Sequence, residues 1–305
     1  MFMLPSPPSS KDEEHELADF AELLAIKNGS VSSREIVSYL SKLCDNHENV
    51  GCDDDESETT DEMEEVMAEL DRRMKACGSG YPFTLAHSGS TLRHENGCTN
   101  PRSTIYRYLL LATRLNMKSA RVHKRIDGTK LLEDLSAVVI KNYLGSRSRS
   151  LVFGTAVSGG FAKKISGLCQ ELREGGQFKN PDIDDVDEND GGIDTVGWVP
   201  FSDRKRGQLI VFGQCKTGTN WRDETVKLRP DDFVRLWMSD PPLLTPIRAF
   251  FIAESAEQGH WVKHATKAGL LFDRCRLVDF SETVPKDLIE KIETWTCAAL
   301  DSVKF

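Results

Sequence analysis

Apolar positions along this chain recur at helical spacing in blocks that Gly, Pro and Asn separate. Leu17, Phe20 and Leu24 form the first block, which breaks at Asn28-Gly29. Ile36, Leu40 and Leu43 form the second, behind Ser32 and Glu35, a Ser-x-x-Glu capping box that marks a helix start. Met63, Val66, Met67, Leu70 and Met74 make one stripe, closed by Cys77-Gly78-Ser79-Gly80. Further helices are predicted from Ser103 (TIYRYLLLATRLNM), from Gly128-Thr129 (KLLEDLSAVVIKNYLG) and through Phe161, Ile165, Leu168 and Leu172, with shorter ones around 230–238 and 261–267 and a last one over 285–300. Residues 1–10, rich in Pro and Ser, are expected to be frayed, and 81–101 irregular.

The period changes to two in GGIDTVGWVPFSDRKRGQLIVFGQCKTGTNW, residues 191–221. Two strands are predicted there around the polar turn FSDRKRGQ. Asp194, Val196 and Trp198 share a face of the first, and Ile210, Phe212, Gln214 and Lys216 share a face of the second. A nearly all-apolar strand, PIRAFFIAES, and a last one over 270–277 follow. This order predicts an α/β domain with a mixed central sheet flanked by helices, preceded by a helical N-terminal region.

Composition changes the picture mainly through charge. The net −9 argues against a nucleic-acid partner until it is divided: residues 1–78 hold 20 acidic and 7 basic side chains, net −13, and residues 79–305 hold 28 and 32, net +4. The acidity belongs to the N-terminal quarter. Arg102, Arg107, Arg114, Lys118, Arg121, Lys124 and Arg125 cluster after it, as a phosphate-facing surface or a solvated face balancing the acids. The run 53–58 reads as a solvated linker, and the acidic loop 179–192 lacks the twelfth-position Glu of a calcium loop.

No apolar run approaches the roughly 20 residues that cross a bilayer, so no membrane contact is expected, and the N-terminus lacks a secretory pattern. A cytoplasmic protein is the expectation. Eight scattered cysteines without a Cys-x-x-Cys pair are expected to be reduced thiols. His260 and His264 are four apart but lack the Glu of a His-Glu-x-x-His zinc motif, and are expected at the surface or against a partner.

The chemistry concentrates on four side chains. Asp194 offers an anionic oxygen, Gln214 an amide oxygen, the Cys215 backbone a carbonyl, and Lys216 an ammonium beside them. Hard oxygens that hold Mg²⁺, with a cation near a phosphate and a water, are what phosphodiester hydrolysis requires. Glu133 shares an inward helix face with Ala137, Ile140 and Leu144, either as an edge acid reaching solvent or as a carboxylate aimed at a site. Glu171 lies on the flank of its helix and is the weaker acidic candidate.

Gly-Ile-Asp-Thr at 192–195 followed by Gln-Cys-Lys at 214–216 resembles the restriction-endonuclease-like PD-(D/E)XK superfamily, and Gln in place of the acid is similar to its Mrr-type branch. Gly128-x-x-x-x-Glu133 resembles the start of that superfamily's first core helix. The resemblance covers about residues 126–280 and implies a nuclease-like domain over 126–305 behind a helical, acidic accessory region, 1–125. It implies catalytic roles for Glu133, Asp194, Gln214 and Lys216, a Mg²⁺ ion (Mn²⁺ as substitute) on Asp194, Gln214 and the Cys215 carbonyl, and DNA as substrate. A restriction or antiphage role, a homo-oligomer, and a partner such as an ATPase or helicase on the N-terminal region complete the expectation. The alternative is an inactive module of the same fold that binds nucleic acid or a protein.

Overall fold

The computed structural model describes residues 2–9, 12–45, 56–95, 100–154, 160–181 and 191–303. The N-terminal part runs α1 (Glu14–Asn28), β1 (Ser30–Ser32), α2 (Ser33–Asp45), α3 (Glu56–Cys77), β2 (Phe83–Ala86), β3 (Thr91–His94) and α4 (Pro101–Arg114). A short hairpin, β4 (Val122–His123) and β5 (Ile126–Asp127), leads into α5 (Gly128–Leu144), β6 (Arg149–Val152), α6 (Phe161–Leu172) and β7 (Gly175–Phe178). Then come β8 (Thr195–Val199), β9 (Leu209–Lys216), α7 (Pro230–Trp237), β10 (Met238–Asp240) and β11 (Ile247–Ile252). The chain ends in α8 (Trp261–Ala268), β12 (Leu270–Phe272), α9 (Arg274–Asp279) and α10 (Lys286–Ser302).

The protein is α/β and about half helical, built on a mixed sheet ordered β12-β11-β9-β8-β6. β6, β8 and β9 pair antiparallel, whereas β9, β11 and β12 pair parallel. Alternation along β9 sends Val211 to one side, with Ala249 and Phe251 under α4, α5 and α10, and Ile210 and Phe212 to the other, under α6 and α7. Helix α5 lies close on β8 because Gly197 has no side chain: a Cβ there would stand 2.8 Å from Ile140 Cγ1. That approach carries Glu133 to the end of the sheet where β8 begins and β9 ends.

The capping box forms as predicted, with Ser32 N donating to Glu35 Oε2 at 2.7 Å and Glu35 N to Ser32 Oγ at 3.3 Å. Other expectations need correcting. The N-terminus is anchored: Phe2 and Leu4 are buried, and Leu4 N donates to Arg114 O at 2.8 Å, one of the carbonyls that the end of α4 leaves without a helical partner. Residues 81–101 are not wholly irregular, since β2 and β3 join β1 in a sheet ordered β1-β3-β2, its strands too short for their period to show in sequence. The last strand stops at Phe272, because Asp273 Oδ1 accepts from Arg276 N at 3.1 Å and caps α9. His264 is buried, its ring 5.1 Å from that of Trp221, and so is not a surface residue. The calcium-loop and linker readings fall largely on 182–190 and 53–55, outside the described residues.

One hydrophobic core runs from Phe2 through Leu109 and Leu135 to Trp295, crossing the 125/126 boundary. An ionic hub reinforces it. Asp19 of α1 accepts from Arg73 Nη1 at 2.7 Å, Arg114 Nε at 2.6 Å and Arg274 Nη1 at 2.7 Å, all fully buried. Arg73 also meets Glu22 and Glu69, and Arg114 meets Glu16. Arg114 therefore belongs to the interior, not to a basic surface stretch with its neighbours. Burial alone would raise the Asp19 pKa, but the guanidiniums of Arg274, Arg114 and Arg73 hold it well below the ordinary carboxylate range.

Candidate active site

The site is built where three connections end together. β8 pairs with β9 so that Thr195 opposes Gly213, which sets Asp194 opposite Gln214 one step on. Asp194 N donates to Gly213 O at 2.9 Å, and Cys215 N donates to Asp194 Oδ2 at 2.7 Å. The N–H and C=O of one strand residue lie on the same edge, so the Cys215 carbonyl points into the Asp194 corner as well.

Just beyond β6 the chain meets the same corner. Phe153 N and Gly154 N both donate to Asp194 O, at 2.8 and 3.0 Å. A Cβ built on Gly154 would lie 2.9 Å from Asp194 Oδ1 and 2.9 Å from Glu133 Oε2. The two carboxylates thus approach one point from different elements, and only glycine leaves that point unfilled. Glu133 is buried, so its inward position on α5 is not an edge position that reaches solvent. Burial first, and then the charges of Asp194 and Glu133, push the Cys215 thiol well above its ordinary pKa.

Gln214 is 5% exposed, and its Oε1 accepts no hydrogen bond among the described residues. A buried amide oxygen without a donor costs about 1–3 kcal/mol. Lys216 stands two residues further on the same face of β9, half-buried, with Nζ 3.2 Å from Glu224 Oε2. Lys227 holds the other oxygen of Glu224 at 2.6 Å, and the hydrogen bond from Lys227 followed by those from Lys216 lowers the Glu224 pKa.

The structure therefore brings Glu133 and Asp194 together, sets Gln214 and the Cys215 carbonyl beside Asp194, and ties Lys216 to Glu224. Sequence reasoning missed Gly154, Glu224 and Lys164, whose Nζ donates to Gly154 O at 3.1 Å. A glycine closing an apolar strand pattern was the only available signal for the first. Trp221 is buried against Phe250, so residues 217–221 form a turn anchored in the core. Glu171 lies at the other end of the sheet, near Trp198.

A second group with metal-ligating atoms within 4.8 Å of one another, among the described residues, is His15, Glu16 and Glu254. Its carboxylates already accept from Arg114, Arg222 and Trp221, so cations and donors occupy the places a metal would take. Among the described residues no helix is long and apolar enough to cross a membrane. No protein-family model, curated protein or solved structure matches this chain.

Proposed function

We propose that this chain is a Mg²⁺-dependent nuclease that hydrolyses DNA phosphodiester bonds, on a restriction-endonuclease-like core of the Gln-x-Lys, Mrr-like kind. The observation that carries the reading is the meeting of Asp194 and Glu133 at Gly154. Two carboxylates from separate elements stay close only where something offsets their repulsion. The partnerless Gln214 Oε1 on the neighbouring strand adds a neutral oxygen to the same corner. The connectivity agrees: a helix bearing the Glu, an antiparallel strand pair bearing Asp194 and Gln214, then a parallel strand.

The donor set fits a hard divalent cation, Mg²⁺ or Mn²⁺, held by Asp194, Gln214 and the Cys215 carbonyl with Glu133 assisting. When bound, such an ion withdraws charge from a phosphate oxygen and acidifies water. The protein's own part is positional. Asp194 is fixed by the Cys215 N–H, and Glu133 by the packing of α5. Lys216 is held by Glu224, a carboxylate that an entering phosphate replaces like for like, so the ammonium moves from one anion to another without losing its counter-charge.

The Lys216–Glu224 pair and the neutral Gln214 favour one other reading, a module that binds DNA or a protein without cutting it. A partner such as an ATPase or helicase docking on the N-terminal region would meet the exposed Glu13, Glu64 and Glu65, since Glu16, Asp19, Glu22 and Glu69 face inward. The restriction or antiphage setting rests on resemblance alone.

Plasmid nicking with Mg²⁺, compared among wild type, Asp194→Asn and Lys216→Met, tests the proposal. Activity is expected to fall at least about 100-fold in each variant, a barrier higher by roughly 2.7 kcal/mol, with melting temperature kept within about 2 °C. Wild-type nicking in both variants would sink the proposal. Absence of cleavage by the wild type on DNA and RNA with either ion, together with DNA binding in a gel-shift assay, would favour the binding module instead.

A further inference from the structure

At the end of β8 away from Asp194, a cavity of about 340 Å³ opens between the C-terminus of α6 and the turn that joins β8 to β9. Arg147, Arg149, Arg173, Arg204 and Lys205 line it, against the single carboxylate of Glu171. None of the five cations has an ion-pair partner among the described residues, whereas their neighbour Arg206 is paired with Asp240 at 2.6 Å. Exposed cations that outnumber the nearby carboxylate repel one another, and the arrangement gains when an anion enters.

The walls are built rather than loose. Buried Glu174 accepts from Gly207 N at 2.8 Å and Gln208 N at 3.2 Å through one oxygen, and from Leu243 N at 3.1 Å through the other. Gln208 Nε2 donates to Leu172 O, which fixes the turn to the end of α6. Arg147 Nη2 donates to Ser202 Oγ at 3.0 Å. Arg173 and Arg204 have φ of 56° and 62°, so two cations stand at backbone positions that favour glycine. Trp198 and the half-exposed Phe201 supply the apolar part of the lining.

We propose that this cavity binds a small phosphate-rich ligand of nucleotide size, a nucleoside polyphosphate, with the phosphates on the arginines and the base on Phe201. The volume lies at the lower end of the range for small-molecule sites, and the excess of four positive charges matches a triphosphate better than a single phosphate. The cavity is bounded by the end of α6 and the β8–β9 turn, which suits a compact anion better than an extended strand, and Glu171 lines both it and the adjoining 430 Å³ hollow beside β6. Asp194 lies four residues from Trp198 along β8, on the order of 13 Å away, so the cavity is separate from the acid corner and does not depend on its chemistry.

Isothermal titration of the full chain in EDTA, so that no divalent ion bridges ligand to the acid corner, tests the assignment. The probes are ATP, GTP, inorganic triphosphate and a single-stranded DNA 12-mer. ATP or GTP is expected to bind, and the double variant Arg149→Ala/Arg204→Ala to weaken it about 30-fold or more while unfolding at the wild-type temperature, since both side chains are exposed. Phe201→Ala is expected to weaken the nucleotide while leaving inorganic triphosphate unchanged. No heat with either nucleotide up to about 5 mM, or DNA affinity that collapses in the double variant while nucleotides do not compete, overturns the proposal. The first outcome leaves the nuclease reading untouched, and the second assigns the arginines to DNA binding, while the nicking assay tests cleavage separately.

Discussion

Two groups of buried carboxylates in this protein are built on opposite terms. Around Asp19 opposite charges meet: guanidiniums of Arg73, Arg114 and Arg274 surround one carboxylate, and Glu16, Glu22 and Glu69 pair with the same guanidiniums, although Arg114 Nη2 keeps no acceptor among the described residues. Around Asp194 the arrangement differs: Glu133 converges on the same point, Gln214 Oε1 accepts no hydrogen bond among the described residues, and Lys216 Nζ is occupied by Glu224. Both arrangements cost desolvation. Where opposite charges answer it internally, the group joins elements of the fold; the converging carboxylates and the Gln214 oxygen are the groups to which the proposed function assigns a cation.

The sharpest way to break that comparison is to delete each centre. Asp19→Ala leaves three buried guanidiniums facing one another, and losing one partner of a buried pair costs about 3–5 kcal/mol, a large part of the 5–15 kcal/mol typical of a domain. We expect Asp19→Ala to lower the melting temperature by about 10 °C or more, or to prevent folding, while Asp194→Ala stays within about 2 °C of wild type. Near-equal melting of Asp19→Ala and wild type would show that the hub does not hold the N-terminal helices to the rest.

Acid titration sharpens the same contrast. Burial would raise the Glu69 pKa, but Arg73 and Arg72 outweigh it and bring it to about 2 from 4.5. A depressed folded-state pKa contributes stability that is present above the unfolded value and is lost as pH falls through the folded one. Stability on the order of 3 kcal/mol should therefore disappear between about pH 4.5 and 2, with Asp19 adding in the same direction. Urea midpoints at pH 6, 4 and 3 measure this, and Glu69→Gln should flatten the slope. A slope unchanged in Glu69→Gln would remove Glu69 from the hub's energetics.

The difference between the two groups also explains what the sequence made legible. Glu133, Asp194, Gln214 and Lys216 stand out because period-two strands and an amphipathic helix carry polar residues visibly against an apolar background. Asp19 was invisible for the opposite reason: Glu16, Asp19 and Glu22 look like the solvated face of an acidic helix, and their arginines lie 54, 95 and 255 residues from Asp19. Charge neutralised across such separations leaves no local pattern. Gly154 and Glu224 escaped similarly, since neither shares an element with the residue it serves. The last strand failed at Asp273, where a cap overrode an apolar run that suits helix and strand equally.

Gln214 gives the smallest effect on stability and the most direct test of the Asp194 group. Gln214→Met removes the orphan oxygen while keeping volume, so melting temperature should stay level or rise by a degree or two, and Mg²⁺-dependent nicking should fall. Gln214→Glu does the reverse: it sets a third negative charge beside Asp194 and Glu133, which should lower the melting temperature in EDTA. Mg²⁺ should then raise it further than it raises wild type, because an added anionic ligand increases affinity and binding to the folded state alone stabilises it. A Mg²⁺ shift the same in Gln214→Glu as in wild type would mean that residue 214 does not face the ion, and the orphan oxygen would then have to be explained by the packing of β9 alone.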